Sequence, residues 1–254
     1  MRSAVFVEWL KLRHSRATFA VTVLVVVFMP ALGFAFLRMA EVGGSGAVGA
    51  KLEGFVVGTG WAAFLGVEGQ MLAVAQFLAA GFLAVWCFGR EFADRTVESL
   101  FALPVSRREI ARGKFVSLGA WSITANVGSV AAVWAIGALA GLDQTTDSLF
   151  VGLIQLLAVC LMASMLALTV ALAACAGRGY LPGFGVLIGL VALSQVAVLF
   201  GSGAWFPFAA PALWSVAWQD PTISVGPAQF ALVLATGIAG MWLTVTWWTR
   251  FEVA

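Results

Sequence analysis

Of the chain's 14 Lys/Arg and 12 Asp/Glu, ten fall in residues 90–114, between two long uncharged apolar runs. That stretch reads REFADRTVESLFALPVSRREIARGK. The chemistry it offers is recognition. In a sequence 62% hydrophobic and 10% charged, so dense a charged island must sit in water, where a soluble partner can grip it. The plainer reading is a solvated loop that only enforces topology. Bond-making chemistry is missing. The single histidine, His14, lies in a basic flank, and no HExxH, GxSxG or CxxC spacing occurs. A phosphate cradle of the Walker type is absent too: Arg112-Gly113-Lys114-Phe115 lacks both the upstream glycine and the hydroxyl. Cys87, Cys160 and Cys175 have no short spacing and read as small buried hydrophobes.

The elements that must position the island are membrane spans. Mean hydropathy is +1.00. Charge-free runs cover 17–37, 69–89, 115–142, 148–177, 179–219 and 221–249. Each reaches the roughly 20 residues a helix needs to cross the hydrocarbon core. Continuous rather than alternating apolarity excludes a barrel. The expectation is an all-α polytopic membrane protein, one transmembrane domain over 1–254 with six transmembrane helices. With the N-terminus inside, 12 of the 14 Lys/Arg are cytoplasmic and only Arg38 and Lys51 lie outside. Both termini are then cytoplasmic. Trp205, Trp214 and Trp218 would mark the outer interface, and Trp86 with the Trp247–Trp248 pair the inner one.

Residues 1–16 read as a basic amphipathic helix along the inner interface, with Val5, Phe6, Trp9 and Leu10 on one side. A cleaved signal peptide is disfavoured by the length of the apolar run that follows and by Glu8. Pro30 should kink span one. The GGSG at 43–46 suggests a flexible turn, and Asp143 and Asp147 a short outer loop. Residues 54–68, ended by Glu68, read either as an outer interfacial helix or as the outer extension of span two. Arg178 and Gly179 mark a tight inner turn before Pro182. Residues 201–225, apolar but rich in turn breakers, suggest a re-entrant or interface-lying outer element.

Within the island, residues 91–102 fit a helix, with Glu91 and Arg95 in the favourable i,i+4 order and Phe92, Leu100 and Phe101 supplying apolar contacts. Pro104 ends it by disfavouring helical geometry at Leu103. Ser106 and Glu109 form a capping box from which a second helix runs through Lys114 into span three.

Glu91, Asp94, Thr96, Leu100, Pro104, Val105, Ser106, Arg107 and Lys114, in this order between spans two and three, resemble the pattern of ABC-2-type ABC transporter permeases. The segment Glu-Trp-Leu-Lys-Leu-Arg, residues 8–13, resembles the interfacial connecting helix of that family. Six spans and an apolar outer element between the last two are similar as well. One departure is Arg95, where many members have Gly. The resemblance implies a cytoplasmic coupling helix between spans two and three that docks on a separate ATPase subunit, through Glu91, Asp94, Arg95, Thr96, Glu98, Leu100, Phe101, Pro104, Ser106 and Arg107. It implies a pair of permeases, identical or homologous, in a bacterial inner membrane with two copies of that ATPase. ATP and Mg would sit on the ATPase, with no cofactor on this chain and no nucleic-acid partner.

Mid-membrane ionisable groups usually mark ion pathways, and only Glu68 is a borderline case here, which disfavours an ion-coupled carrier. Neutral polar residues in the spans read as interhelical glue or as a path for an amphipathic substrate. Gln76, Asn126, Gln155 and Gln195 are the candidates for such a path. Gly137-x-x-x-Gly141 and Gly185-x-x-x-Gly189 permit close helix approach. The expected function is the permease subunit of an ATP-driven exporter of a hydrophobic or amphipathic molecule. The rivals are a non-transporting assembly or sensory module and an ion-coupled carrier.

Overall fold

The structure is a computed structural model that describes residues 2–42, 56, 58–102, 104–142, 146–218, 220 and 222–250. The predicted turn at 43–46, Lys51, Leu103 and Asp143, and the Asp147 side chain, lie outside the described residues. Among those described, the chain is helical throughout, with no strand. Helix α1 (Arg2–Arg13) comes first. Span one follows as α2 (Arg16–Val23), a π-helical turn (Leu24–Phe28) and α3 (Met29–Val42). Span two is α4 (Gly60–Ala93) and the island holds the short α5 (Val97–Phe101). Span three is α6 (Arg107–Leu139). Span four joins α7 (Thr146–Ala167), a 3-10 turn (Leu168–Val170) and α8 (Ala171–Ala176). Span five is α9 (Tyr180–Leu199), and α10 (Ala210–Ala217) precedes span six, α11 (Pro227–Arg250). Six of these helical units are long and apolar enough to cross a membrane.

Span two is the post around which the others stand. It is 67% buried across its most apolar window, against 17–33% for spans one, three, five and six. Small residues allow this. A Cβ on Gly183 of span five would meet Val85 at 2.7 Å and Ala174 at 3.0 Å, and one on Gly69 would meet the Ser215 side chain of α10 at 2.5 Å. Gly237 of span six similarly admits the Met165 thioether. Of the glycines singled out in the sequence, Gly137 receives the Trp61 indole, while Gly141, at φ +69°, turns the chain after span three. Gly185 and Gly189 face open space.

The ambiguity at 54–68 resolves from Gly60 onward as the extension of span two. Trp61 Nε1 donates to Leu142 O at 3.1 Å, and Phe64 lies edge-on to Phe34, so this turn-rich apolar stretch is helical because spans one and three bury it. At 34 residues the helix is about 50 Å long and outreaches an apolar core of about 30 Å at both ends.

The kink expected at Pro30 takes the form of the π-helical turn just ahead of it. Proline cannot donate to Val26 O and its ring crowds that carbonyl, so a wider turn relieves the clash. The Val25 carbonyl accepts instead from Ser129 Oγ of span three at 2.9 Å. The turn at Arg178 and Gly179 forms as expected, with Arg178 at φ +54°. All three cysteines are buried and unpaired. The Trp247–Trp248 pair departs from the sequence reading, because Trp248 is fully buried in the core.

Candidate functional site

Behind the island lies a closed cluster of charges. Lys114, near the start of span three, has a fully buried side chain. Its ammonium donates to Glu91 Oε1 at 2.8 Å, Glu8 Oε2 at 3.0 Å and the Cys87 carbonyl at 3.1 Å. Three donors thus meet three acceptors, as a buried ammonium requires. Lys11 adds a second cation, 2.8 Å from Glu8 and 3.5 Å from Glu91, which makes the four side chains neutral as a group. The cluster ties α1, the end of span two and the start of span three at one point.

Local structure delivers these groups. Helix α1 lies against span three where it meets Gly113: a Cβ there would stand 3.3 Å from the backbone of Ala4 and Val5. Ser117 Oγ donates to Val5 O at 3.3 Å alongside. This turns Glu8 and Leu12 inward and leaves Phe6 and Leu10 exposed. Span three starts at the expected cap, with Ser106 Oγ accepting from the Glu109 amide at 3.2 Å.

The expected continuous helix over 91–102 is instead two pieces. Span two runs to Ala93, and the chain turns at Asp94, Arg95 and Thr96 before α5. Thr96 drives the break: its amide donates to Glu91 O at 2.9 Å and its hydroxyl to Glu91 Oε2 at 2.8 Å. Glu91 is therefore taken by Lys114, Lys11 and Thr96, and the anticipated Glu91–Arg95 pair does not form. Arg95 adopts φ +54°, a conformation glycine takes without steric cost. Arg95→Val is expected to lower stability by about 1–2 kcal/mol, whereas Arg95→Gly holds or raises it. Thermal midpoints of the two variants in detergent check this.

Helix α5 is seated by aromatic packing. Phe101 meets Trp248 of span six edge-on at 5.5 Å and carries the Arg107 guanidinium over its face at 4.2 Å. Trp248 also contacts Phe88 at 5.8 Å and donates its indole N–H to Cys175 Sγ at 3.1 Å. Val97 is buried and Leu100 half-buried, while Asp94, Arg95, Ser99 and Pro104 are exposed.

Farther along the spans, a cavity of about 840 Å³ opens between spans one, two and five and α10. Leu24 of the π-helical turn, Phe77, Phe82, Val191 and Phe208 line it, with Gln70, Ser194 and Gln195 as the polar minority. Such a lining suits an apolar molecule with few polar groups.

A family model described as "ABC-2 family transporter protein" matches residues 4–195. The chain belongs to the ABC-2 transporter family. The match takes in α1, the ion cluster, the island and spans one to four, and ends within span five. No curated protein matches the chain.

In this ABC-2 permease the island residues chosen from the sequence divide by exposure. Asp94, Arg95, Thr96, Pro104 and Ser106 face outward; Glu91 is buried, and Leu100, Phe101 and Arg107 are partly covered. Glu98 lies in α5. Of the four path candidates, Gln195 lines the cavity. Gln76 Nε2 donates to Ser129 Oγ at 2.8 Å and Asn126 Nδ2 to Ser164 Oγ at 3.1 Å, both buried and both joining helices. Gln155 is half-buried in span four. Sequence reasoning missed Glu8, Lys11 and Trp248 as site residues and placed Lys114 in the motif without a bonding role. The available signal was Glu8 itself, a lone carboxylate in an otherwise basic segment.

Proposed function

We propose that the chain is the permease subunit of an ATP-driven exporter, with both termini and the island in the cytoplasm of a bacterial cell and the spans in its inner membrane. Two permeases, identical or homologous, work with two copies of a separate ATPase that binds ATP and Mg. Helix α5 is the coupling helix, and α1 is the interfacial helix that braces it. The observation that carries this reading is how α5 is seated. Its rear is packed on Trp248 and its approach is locked through Thr96 and Glu91 to Lys114, while Asp94, Arg95, Ser99 and Pro104 stay open to a partner. A push on the open face reaches spans two, three and six together. The 840 Å³ cavity supports a hydrophobic or amphipathic cargo.

Purification of the tagged chain in mild detergent from its native cells tests this. A stoichiometric ATPase is expected to come with it. Asp94→Arg reverses an exposed charge on the docking face and should lower ATPase recovery by about tenfold at unchanged thermal midpoint. A folded chain with no ATPase would leave an assembly or sensory module as the better reading.

A second reading, an ion-coupled carrier, has one observation in its favour. Glu68 in span two is fully buried, and neither carboxylate oxygen has a hydrogen-bond partner among the described residues. Transport abolished by an uncoupler and by Glu68→Gln, with no ATPase requirement, would favour it.

A further inference from the structure

A groove of about 600 Å³ opens between spans three and six at the island end of the bundle, and no residue of the ion cluster or of α5 lines it. Its rim carries three cations: Arg108 and Arg112, one helical turn apart on α6, and Arg250 at the end of α11. Its wall is apolar, formed by Ile238, Met241, Trp242 and Val245. The apolar surface continues along both helices, with Val116 and Ile123 of α6 exposed at 47% and 56%, and Ile238 and Trp242 of α11 at 59% and 62%.

Three of the other four island cations are used inside the fold, Lys114 in the ion cluster, Arg90 over the Trp86 ring at 4.5 Å and Arg107 over Phe101, while Arg95 is exposed in the turn before α5. Arg108, Arg112 and Arg250 form no ion pair among the described residues, and all three are exposed. Three like charges around one groove repel one another unless an anion lies between them. The start of α6 adds the positive end of a 33-residue helix. The neighbouring hydroxyls supply no donors: Thr246 and Thr249 already donate to the carbonyls of Trp242 and Thr246. Recognition there falls to the guanidinium groups, which match phosphate oxygens in pairs.

We propose that this groove binds an anionic phospholipid from the leaflet on the island side. Arg108, Arg112 and Arg250 hold the phosphodiester headgroup. An acyl chain lies along the apolar strip past Trp242 and Val116. Cations directly above lipid-facing apolar surface fit one amphiphile better than either a free anion or a neutral hydrocarbon. A zwitterionic lipid brings its own cation to the rim and is disfavoured by the same three charges. The site does not depend on the transport reading.

The test uses the full chain in mild detergent, titrated with short-chain phosphatidylglycerol, phosphatidylcholine of equal chain length, or inorganic phosphate. The readouts are bound lipid by native mass spectrometry and the thermal midpoint. Phosphatidylglycerol is expected to bind and raise the midpoint, phosphatidylcholine to bind at least about tenfold more weakly, and phosphate alone to do neither. Arg250→Gln should weaken phosphatidylglycerol about fivefold and Arg108→Gln/Arg112→Gln about 25-fold, from about fivefold per basic side chain. These exposed substitutions leave the lipid-free midpoint unchanged. Equal binding of both lipids, a shift reproduced by phosphate alone, or undiminished phosphatidylglycerol binding by the double variant would each overturn the proposal.

Discussion

Lys114→Met is expected to cost about 3–5 kcal/mol of stability, because it removes one side of a buried ion cluster and leaves the other in place. Glu8 and Glu91 would then face each other with only Lys11 between them, and Lys11 is 31% exposed and stands 3.5 Å from Glu91. The Cys87 carbonyl loses the ammonium donor at the same time. The loss comes from stranded carboxylates, so removing them should reverse it. Lys114→Met combined with Glu8→Gln and Glu91→Gln is expected to recover most of the lost stability, since buried ion groups and neutral replacements of similar size are often nearly equivalent. Thermal midpoints in detergent, with size-exclusion chromatography to count folded chains, measure both. A single variant as stable as the parent would mean that water reaches the cluster. Under the proposed function the triple variant also separates stability from coupling: a chain that folds without the cluster but does not link ATP hydrolysis to transport would place the cluster in transmission.

Trp248→Ala should have an effect of similar size, about 3–5 kcal/mol, for a different reason. Trp248 is fully buried, with Phe88, Phe92 and Phe101 around its ring and its N–H on Cys175. Truncation opens a cavity where spans two, four and six meet α5. Trp248→Phe keeps most of the volume and should lose well under half as much. The distinguishing measurement is amide hydrogen exchange over residues 97–101. Faster exchange there in Trp248→Ala, beyond the general loss of protection, is the expected result. Unchanged relative exchange would show that Val97 and Leu100 seat the helix without Trp248.

Much of this architecture is local and therefore legible in sequence. Uncharged runs long enough to span an apolar core mark the six candidate spans. Ser106 and Glu109 lie three residues apart, so their cap needs nothing beyond the chain next to them. The break at Thr96 was missed although every residue in it is local. It depends on which partner Glu91 takes, and Arg95 one turn on is the obvious choice until Lys114 is brought alongside. The extent of span two was undecidable for a related reason: Glu68 argues locally against a buried helix, and only packing of Trp61 and Phe64 on spans one and three overrides it.

By itself, the sequence determined the helical membrane-spanning class, the charged island between spans two and three, and the cap that starts span three. Each follows from the cost of placing charge or unbonded backbone in an apolar medium, and from bonds between near neighbours. The tertiary structure decided what the island is anchored to. Glu8 lies 106 residues from Lys114, Glu91 lies 23 away, and the partners of Trp248 are spread over spans two and four and α5. A charged lysine is buried at low cost where carboxylates converge on it, and convergence across that much chain is a property of helix packing that no stretch of sequence contains.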